Sequence, residues 1–329
     1  MRILSWLLLC AACDPFPANH LTDWDHDDLL SDVDCDDLDA DAGLPGGTLE
    51  RGLSEDFQSF CAGGCWTRVH GTVNLSEATA ADVASLGCLV AVDGDLKSAD
   101  NPWLTDLTGL RALTEVTGTL EITGGDSLVS LDGLGALSTI GGSLELRSNN
   151  SLQTLAGLDQ LQSVAVDVVI KGNDHLLDLA ALATLTEVSG DLTLSSLPRL
   201  STVQDLAGLG AVGGYLTVSG LDTVPNLQGL NGISAVGLGL SLEGNDALLT
   251  LDGLDALETL GGGLSIQTNK ALLDVQALHG LRAVAGDLTV RENRCLPEAS
   301  VSALVDAIAQ IDGTVWAEDN GLGCPEDGA

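Results

Sequence analysis

Leucine, valine and isoleucine recur along this chain with a fixed long period. Alternating inward pairs stand at Leu96 and Ser98, Leu120 and Ile122, Leu144 and Leu146, Val168 and Ile170, and Leu192 and Leu194. They continue at Leu216 and Val218, Leu240 and Leu242, Leu264 and Ile266, and Leu288 and Val290. Each pair begins 24 residues after the last, without insertion or deletion. A degenerate unit, Val73 and Leu75, precedes them, and Val315 and Ala317 close the series. Period-two alternation over so few residues predicts a short strand with one face inward. In the unit starting at Gly142, Leu152, Leu155, Leu158, Leu161 and Val164 supply the other core walls. Too few residues separate the strands for long helices, so tight turns and short helical turns must connect them. Gly157, with Gly109, Gly133, Gly229 and Gly253 at equivalent positions, suits a turn that a side chain would hinder.

Five residues after the first strand leucine comes an asparagine. Asn149 shares this slot with Asn101, Asn173, Asn245, Asn269 and Asn293, and with Asn320 in the last unit. A buried amide there can pair with backbone groups of adjacent coils. Gly125, Leu197 and Leu221 interrupt the row. Each coil exposes apolar edges until another stacks on it, so the units must form one continuous array. The expected fold is mostly β: a right-handed parallel β-solenoid of 24-residue leucine-rich-like coils with disulfide-bonded caps. The expected organisation is a signal peptide at 1–13, an acidic segment at 14–47, an N-terminal cap at 48–95, the solenoid at 96–294 and a C-terminal cap at 295–329. Within that last cap, Pro297 opens an expected helix running to Ile311 and ended by Gly313. Its expected apolar face is Leu304, Val305, Ile308 and Ile311, placed over the last coil.

Composition narrows the function. Of 329 residues, 48 are acidic and 12 basic, a net charge of -36. Twelve scattered cations make no basic face, which excludes a nucleic-acid binder. The 45% apolar content argues against disorder, and the scarcity of aromatics leaves the core to aliphatic residues. Met1 and Arg2 followed by the apolar run Ile3 to Leu9 read as an export signal, too short to span a bilayer. The following Cys10-Ala11-Ala12-Cys13 resembles the lipobox of bacterial lipoproteins. That resemblance implies cleavage before Cys13 and a lipid on its thiol. Cys10 departs from the family, which usually has leucine there. Six cysteines then remain: Cys35, Cys61, Cys65, Cys88, Cys295 and Cys324. An even number in an exported chain predicts three disulfides. Cys295 pairs with Cys324 across the C-terminal cap, and the other four pair among themselves in one of three schemes.

Residues 23–41 hold ten aspartates in nineteen positions. Carboxylates at this density repel one another unless a cation neutralises them, and Ca²⁺ takes oxygen ligands at alternate positions. Asp23, Asp25 and Asp27 have that spacing, and Asp34, Asp36, Asp37 and Asp39 follow around Cys35. The Asp-Cys-Asp-Asp-x-Asp run with Pro45-Gly46 resembles a metal-binding motif of secreted bacterial proteins, and is similar in style to thrombospondin type 3 calcium repeats. These seven aspartates are the expected Ca²⁺ ligands. His26 and Asp28 stand where that motif commonly has glycine. A solvated acidic linker accounts for the same composition.

The repeat pattern over roughly residues 61–324 resembles the receptor L domain family, the leucine-rich-like solenoids that bind ligands in insulin-type and epidermal-growth-factor-type receptors. That resemblance implies a binding solenoid with relatives on bacterial surfaces; no receptor-specific binding residue matches. Catalytic signals are weak. Gly208-x-Gly210-x-x-Gly213 matches a dinucleotide fingerprint but lies in a turn region with no long helix following. His70, His175 and His279 fall in separate units. Asp167 and Asp191 would stack on adjacent rungs, which raises a polysaccharide-acting enzyme, yet few cations accompany them.

On the outward sheet face the central row runs Lys97, Glu121, Glu145, Val169, Thr193, Thr217, Ser241, Ser265 and Thr289. Tyr215 is the only aromatic expected in the regular strands. Tyr215 with Thr193, Thr217 and Ser241 forms the expected partner-binding site, since exposed aromatics are favoured contact residues. The sequence therefore predicts a monomeric, non-enzymatic binding or adhesion module at the outer membrane or cell surface. It is tied to the membrane through Cys13 and presents its sheet to a protein or glycan. A structural envelope spacer and a polysaccharide-acting enzyme are the alternatives.

Overall fold

In the computed structural model, the structure describes residues 47–49, 53, 57–61 and 66–324. The signal segment, Cys13, Cys35, Cys65 and the aspartates of 23–41 lie outside the described residues.

The chain winds as a parallel β-solenoid. Each 24-residue coil contributes one four-residue strand to an 11-stranded sheet and one two-residue strand to a 12-stranded sheet. The register never slips across the repeats: Leu144 pairs with Val168, Val168 with Leu192, Leu192 with Leu216 and Leu216 with Leu240. At about 4.8 Å per strand, eleven strands make a rod of roughly 48 Å. The 24-residue period is what keeps each inward leucine above its equivalent. The aliphatic core that results runs the length of the rod, and Leu144, Leu152, Leu155, Leu158, Leu161 and their equivalents are fully buried.

The second sheet was not among the expectations. Its strands, such as Ser163–Val164, Glu187–Val188 and Ala211–Val212, offer one inward valine each. The remaining wall is made of turns, four of which tighten into 3-10 helices: Thr108–Leu110, Ala180–Leu182, Gln204–Leu206 and Gln276–Gly280. The expected glycine turns are present. Gly157 and Gly253 both take φ of 111°, and a Cβ on either would collide with the carbonyl of Leu131 or Leu227 below.

The asparagine row is buried and continuous where asparagines are adjacent. Asn269 Nδ2 donates to the carbonyls of Leu242 and Gln267, each at 3.0 Å. Its Oδ1 accepts from the backbone N–H of Asn245 at 3.1 Å. The side chain thus joins the Leu242 carbonyl and Asn245 N–H of the preceding coil to the Gln267 carbonyl of its own. Where Leu221 takes the slot, the preceding Leu197 N–H turns to the Gly220 carbonyl at 3.3 Å.

Stacking begins before residue 96, because Val73–Asn74 pairs with Leu96 and Lys97. Leu53 then bridges to Val73 and covers that edge. The helix Ala80–Ala84 carries a capping box between Thr79 and Asp82. Cys61 is bridged to Cys88 in this cap, which resolves one pair of the open connectivity. At the other end Cys295 is bridged to Cys324, as expected.

The C-terminal helix is shorter than its apolar pattern predicted. It spans Glu298–Ala307 with Pro297 as N-cap. Ile308 is the C-cap, and Ile311 belongs to the strand Gln310–Ile311, which pairs with Ala283–Val284. Pairing with the sheet below overrides the helical continuation. Val301, Leu304 and Ile308 are the buried residues of this stretch, while Val305 and Ile311 are partly covered. The helix packs beside the 3-10 turn Gln276–Gly280. It therefore serves as a side wall of the last coil rather than a lid across its end.

Candidate functional site

The outward face of the 11-stranded sheet divides into two halves of different chemistry. Its first half is charged and internally paired. Lys97 Nζ lies 3.1 Å from Asp95 and 3.8 Å from Glu121, and Arg147 Nε donates to Glu145 at 3.0 Å. The backbone N–H of Thr119, with help from Lys97, holds the Asp95 carboxyl below its usual value against the opposing effect of burial. The hydrogen bond to Asp95 raises Lys97. Val169, expected in the exposed central row, is buried, lying low between its register neighbours Glu145 and Thr193.

From Thr193 onward the central row becomes a column of hydroxyls. Thr193 pairs with Thr217, Thr217 with Ser241, Ser241 with Ser265 and Ser265 with Thr289. Ser195 and Ser219 lie on the same face, with their hydroxyls 2.9 Å apart. Tyr215, 49% exposed, stands on the opposite flank of this column. The structure thus brings together the four residues proposed from sequence.

Gly239, the next residue in the Tyr215 column, is not an empty step. A Cβ there would stand 3.1 Å from Tyr215 Cε1 and 2.8 Å from the Gly263 carbonyl. The tyrosine ring therefore leans over Gly239, which holds it close to the sheet.

The acidic pair of this flank is structural. Asp191 N–H donates to Asp167 Oδ1 at 2.8 Å, and Tyr215 N–H donates to Asp191 Oδ1 at 2.7 Å. Thr119, Ser143 and Asp167 continue the same arrangement toward Asp95. These carboxylates each accept a backbone N–H from the following rung. The Gly208-x-Gly210-x-x-Gly213 segment follows the three-residue 3-10 helix Gln204–Leu206 and leads into the strand Leu216–Ser219, so no helix end faces a phosphate there. His175 Nδ1 contacts the Asn150 carbonyl at 2.5 Å, a turn contact.

Two features were missed. Trp316 pairs with Thr289 and ends the central column, half exposed. Tyr215 is therefore not the only aromatic on this sheet; Trp316 takes the outward position between Val315 and Ala317, the pair that closes the series. The second is an exposed apolar row of Val129, Leu177, Leu249 and Leu273. Each stands four residues beyond the asparagine slot, a spacing visible in the repeat.

Chemically, the hydroxyl half offers donors and acceptors at fixed spacing beside an aromatic platform. Among the described residues no group of three or more His, Cys, Asp or Glu is placed to hold a metal, and no helix is long and apolar enough to cross a membrane. Compared with protein-family models and with curated proteins, the chain matches none.

Proposed function

We propose that this chain is a non-enzymatic binding or adhesion module of the cell envelope that uses the hydroxyl half of its sheet to hold a polar protein or glycan surface. The observation that carries the reading is local neutrality. In a chain of net charge -36, the three rungs around Thr193, Thr217 and Ser241 carry Asp191 and Glu243 as their only charges on this face, and Asp191 is engaged with a backbone N–H. Rigid strands present these groups without an ordering cost on binding. The strong negative charge elsewhere repels acidic polymers and makes capture of a cationic partner salt-sensitive. The lipobox-like segment at Cys13 supports membrane anchorage, and the likeness of the repeat to receptor L domains supports a binding role. Ca²⁺ held by Asp23, Asp25, Asp27, Asp34, Asp36, Asp37 and Asp39 would order the tether between anchor and solenoid.

The test is capture from envelope material and on a glycan array. Tyr215→Ala and Thr217→Lys should each weaken capture, with unchanged circular dichroism. Lys270→Ala, whose partner is the exposed Asp246, serves as control. Undiminished capture by both face variants would move binding off this sheet and favour a structural envelope spacer.

A further inference from the structure

The repeat defines what each rung hands to its successor. The N–H of the first inward residue donates forward: Leu192 to the Tyr215 carbonyl, Leu240 to Gly263, Leu264 to Asp287 and Leu288 to Thr314. The residue just past the strand does the same, as Thr268 to Arg291 and Glu292 to Glu318. The slot asparagine donates its N–H to the next asparagine Oδ1, as Asn269 to Asn293 at 3.0 Å and Asn293 to Asn320 at 3.2 Å. In the last rung the equivalent donors are the N–H groups of Val315, Asp319 and Asn320. Among the described residues no rung follows them.

The side chains tell the same story. Leu288 and Val290 are fully buried, whereas their register partners Val315 and Ala317 are exposed, Val315 by 38%. Together with Val301 and Val305 they floor an open groove of about 320 Å³. Glu298 and Asp306 line its rim, and Glu318 and Asp319 follow Ala317 at its edge.

We infer that this edge is a strand-accepting site for an extended basic segment of a partner protein, which adds to the 11-stranded sheet as its twelfth strand. An added parallel strand supplies the carbonyls that Val315 and Asp319 face. Two alternate apolar side chains cover Val315 and Ala317, and an asparagine past the strand receives Asn320 N–H. Lysine or arginine at the outward positions flanks Trp316 and Glu318, whose carboxylate also lies 3.6 Å from Arg291, while Glu298 and Asp306 add their negative field from the inward side. A second copy fits poorly. Edge-to-edge pairing brings together two acidic edges, each carrying Glu298, Asp306, Glu318 and Asp319, and head-to-tail pairing meets the strand Val73–Asn74, already covered by Leu53. This site is separate from the hydroxyl face, and its test does not depend on that reading.

The probe is a fluorescein-labelled peptide, Gly-Lys-Leu-Lys-Val-Lys-Gly-Asn, titrated into the full exported chain and read by anisotropy. Saturable binding is expected, weakened by salt and by replacing the peptide's asparagine with alanine. A scrambled peptide and one with glutamate for lysine should bind at least about tenfold more weakly. Ala317→Pro, which removes an edge N–H, and Ala317→Lys, which puts a cation on the groove floor, should each cost about the same factor with circular dichroism unchanged. Equal binding of the scrambled peptide, or full binding by Ala317→Lys, would overturn the site. Tighter binding after removal of residues 325–329 would assign the edge to the chain's own tail. A wild-type dimer in sedimentation that Ala317→Lys dissociates would assign it to a second copy.

Discussion

The Asp191 carboxylate accepts the backbone N–H of Tyr215 from the next rung at 2.7 Å. The same step recurs wherever the column holds aspartate: Asp95 accepts from Thr119, Asp167 from Asp191 and Asp287 from Thr314. It leaves a mark in the neighbouring column. Gly118, Gly190, Gly214 and Gly313 follow one coil after these four aspartates, and a Cβ at any of them would strike the carboxylate oxygen. After Ser143 and Tyr215, which place no carboxylate there, the corresponding residues are Val166 and Leu238, whereas glycine also follows Thr119, Gly239 and Gly263, where backbone alone crowds the site. At these four steps the carboxylate and the backbone beneath it together leave no room for a side chain.

Asp191→Ala should cost about 1 kcal/mol by leaving the Tyr215 N–H without its acceptor. Asp191→Asn keeps an acceptor oxygen and should cost less. Urea unfolding of the two variants checks the order. Gly214→Ala should be worse than either, because its Cβ also meets the Gly190 and Asp191 backbone at 2.7 and 2.8 Å, so removing the Asp191 carboxylate as well should not rescue it.

The asparagine row carries a larger penalty. Asn269→Ala removes the partner of the buried Asn245 N–H and leaves a void where Nδ2 joined two carbonyls. A loss of about 3 kcal/mol is expected, since unpaired buried groups cost about 1–3 kcal/mol each. Asn269→Leu should be milder in packing, as Leu197 and Leu221 fill the slot naturally. It should still fall below wild type, because leucine offers no acceptor to the Asn245 N–H and no donor to the Leu242 and Gln267 carbonyls. Hydrogen exchange should show the loss confined to rungs 245–293, because each coil touches only its neighbours.

Much of this arrangement is legible in the repeat, and the exceptions have physical causes. Two inward residues at period two, renewed every 24, specify strands such as Leu144–Arg147 and their stacking. The slot of Asn149 announces a buried polar row because an amide on an apolar coil must find partners. The two-residue strands have no such signal. Ser163–Val164 offers a single inward side chain, and its pairing follows from stacking alone. Ile308 and Ile311 extend a helical spacing past Ala307, yet the sheet edge at Ala283–Val284 claims Gln310–Ile311. Of the candidate face, Tyr215 and the hydroxyl column were visible as alternate strand positions. Trp316 was equally legible, as the alternate position between Val315 and Ala317 in the closing unit.

The Asp95–Lys97 pair gives a signed pH dependence. The Thr119 N–H and Lys97 lower the Asp95 carboxyl, so its contribution is present above the ordinary aspartate value of about 3.9 and is lost as pH falls through the lower folded value. Lys97 is raised by its bond to Asp95, so its contribution is present below the ordinary lysine value of about 10.4 and is lost as pH rises through the higher folded value. Asp95→Asn should therefore be less stable than wild type near neutrality, and the gap should close in acid. The gap for Lys97→Met should close in strong alkali instead. Urea midpoints across pH measure both, and a gap independent of pH would reject the pairing.

The Cys295–Cys324 bridge should protect one end of the rod rather than the whole. It joins residues 29 apart, and closing a loop of that size is worth about 3–4 kcal/mol in the chain-entropy account. The bridge sits just beyond Asn293 and Asn320, where the Gly321 N–H also returns to the Asn293 carbonyl at 3.3 Å. It therefore ties the last rung, Val315–Glu318, to the one beneath. In a stack whose coils contact only their neighbours, that energy acts mainly on the terminal coil. A Cys295→Ser/Cys324→Ser double variant should lose hydrogen-exchange protection across 288–318 while coils near Leu192 keep theirs. Cleavage by a protease should shift to the C-terminal end. Uniform loss of protection along the rod would mean that the coils unfold as one unit.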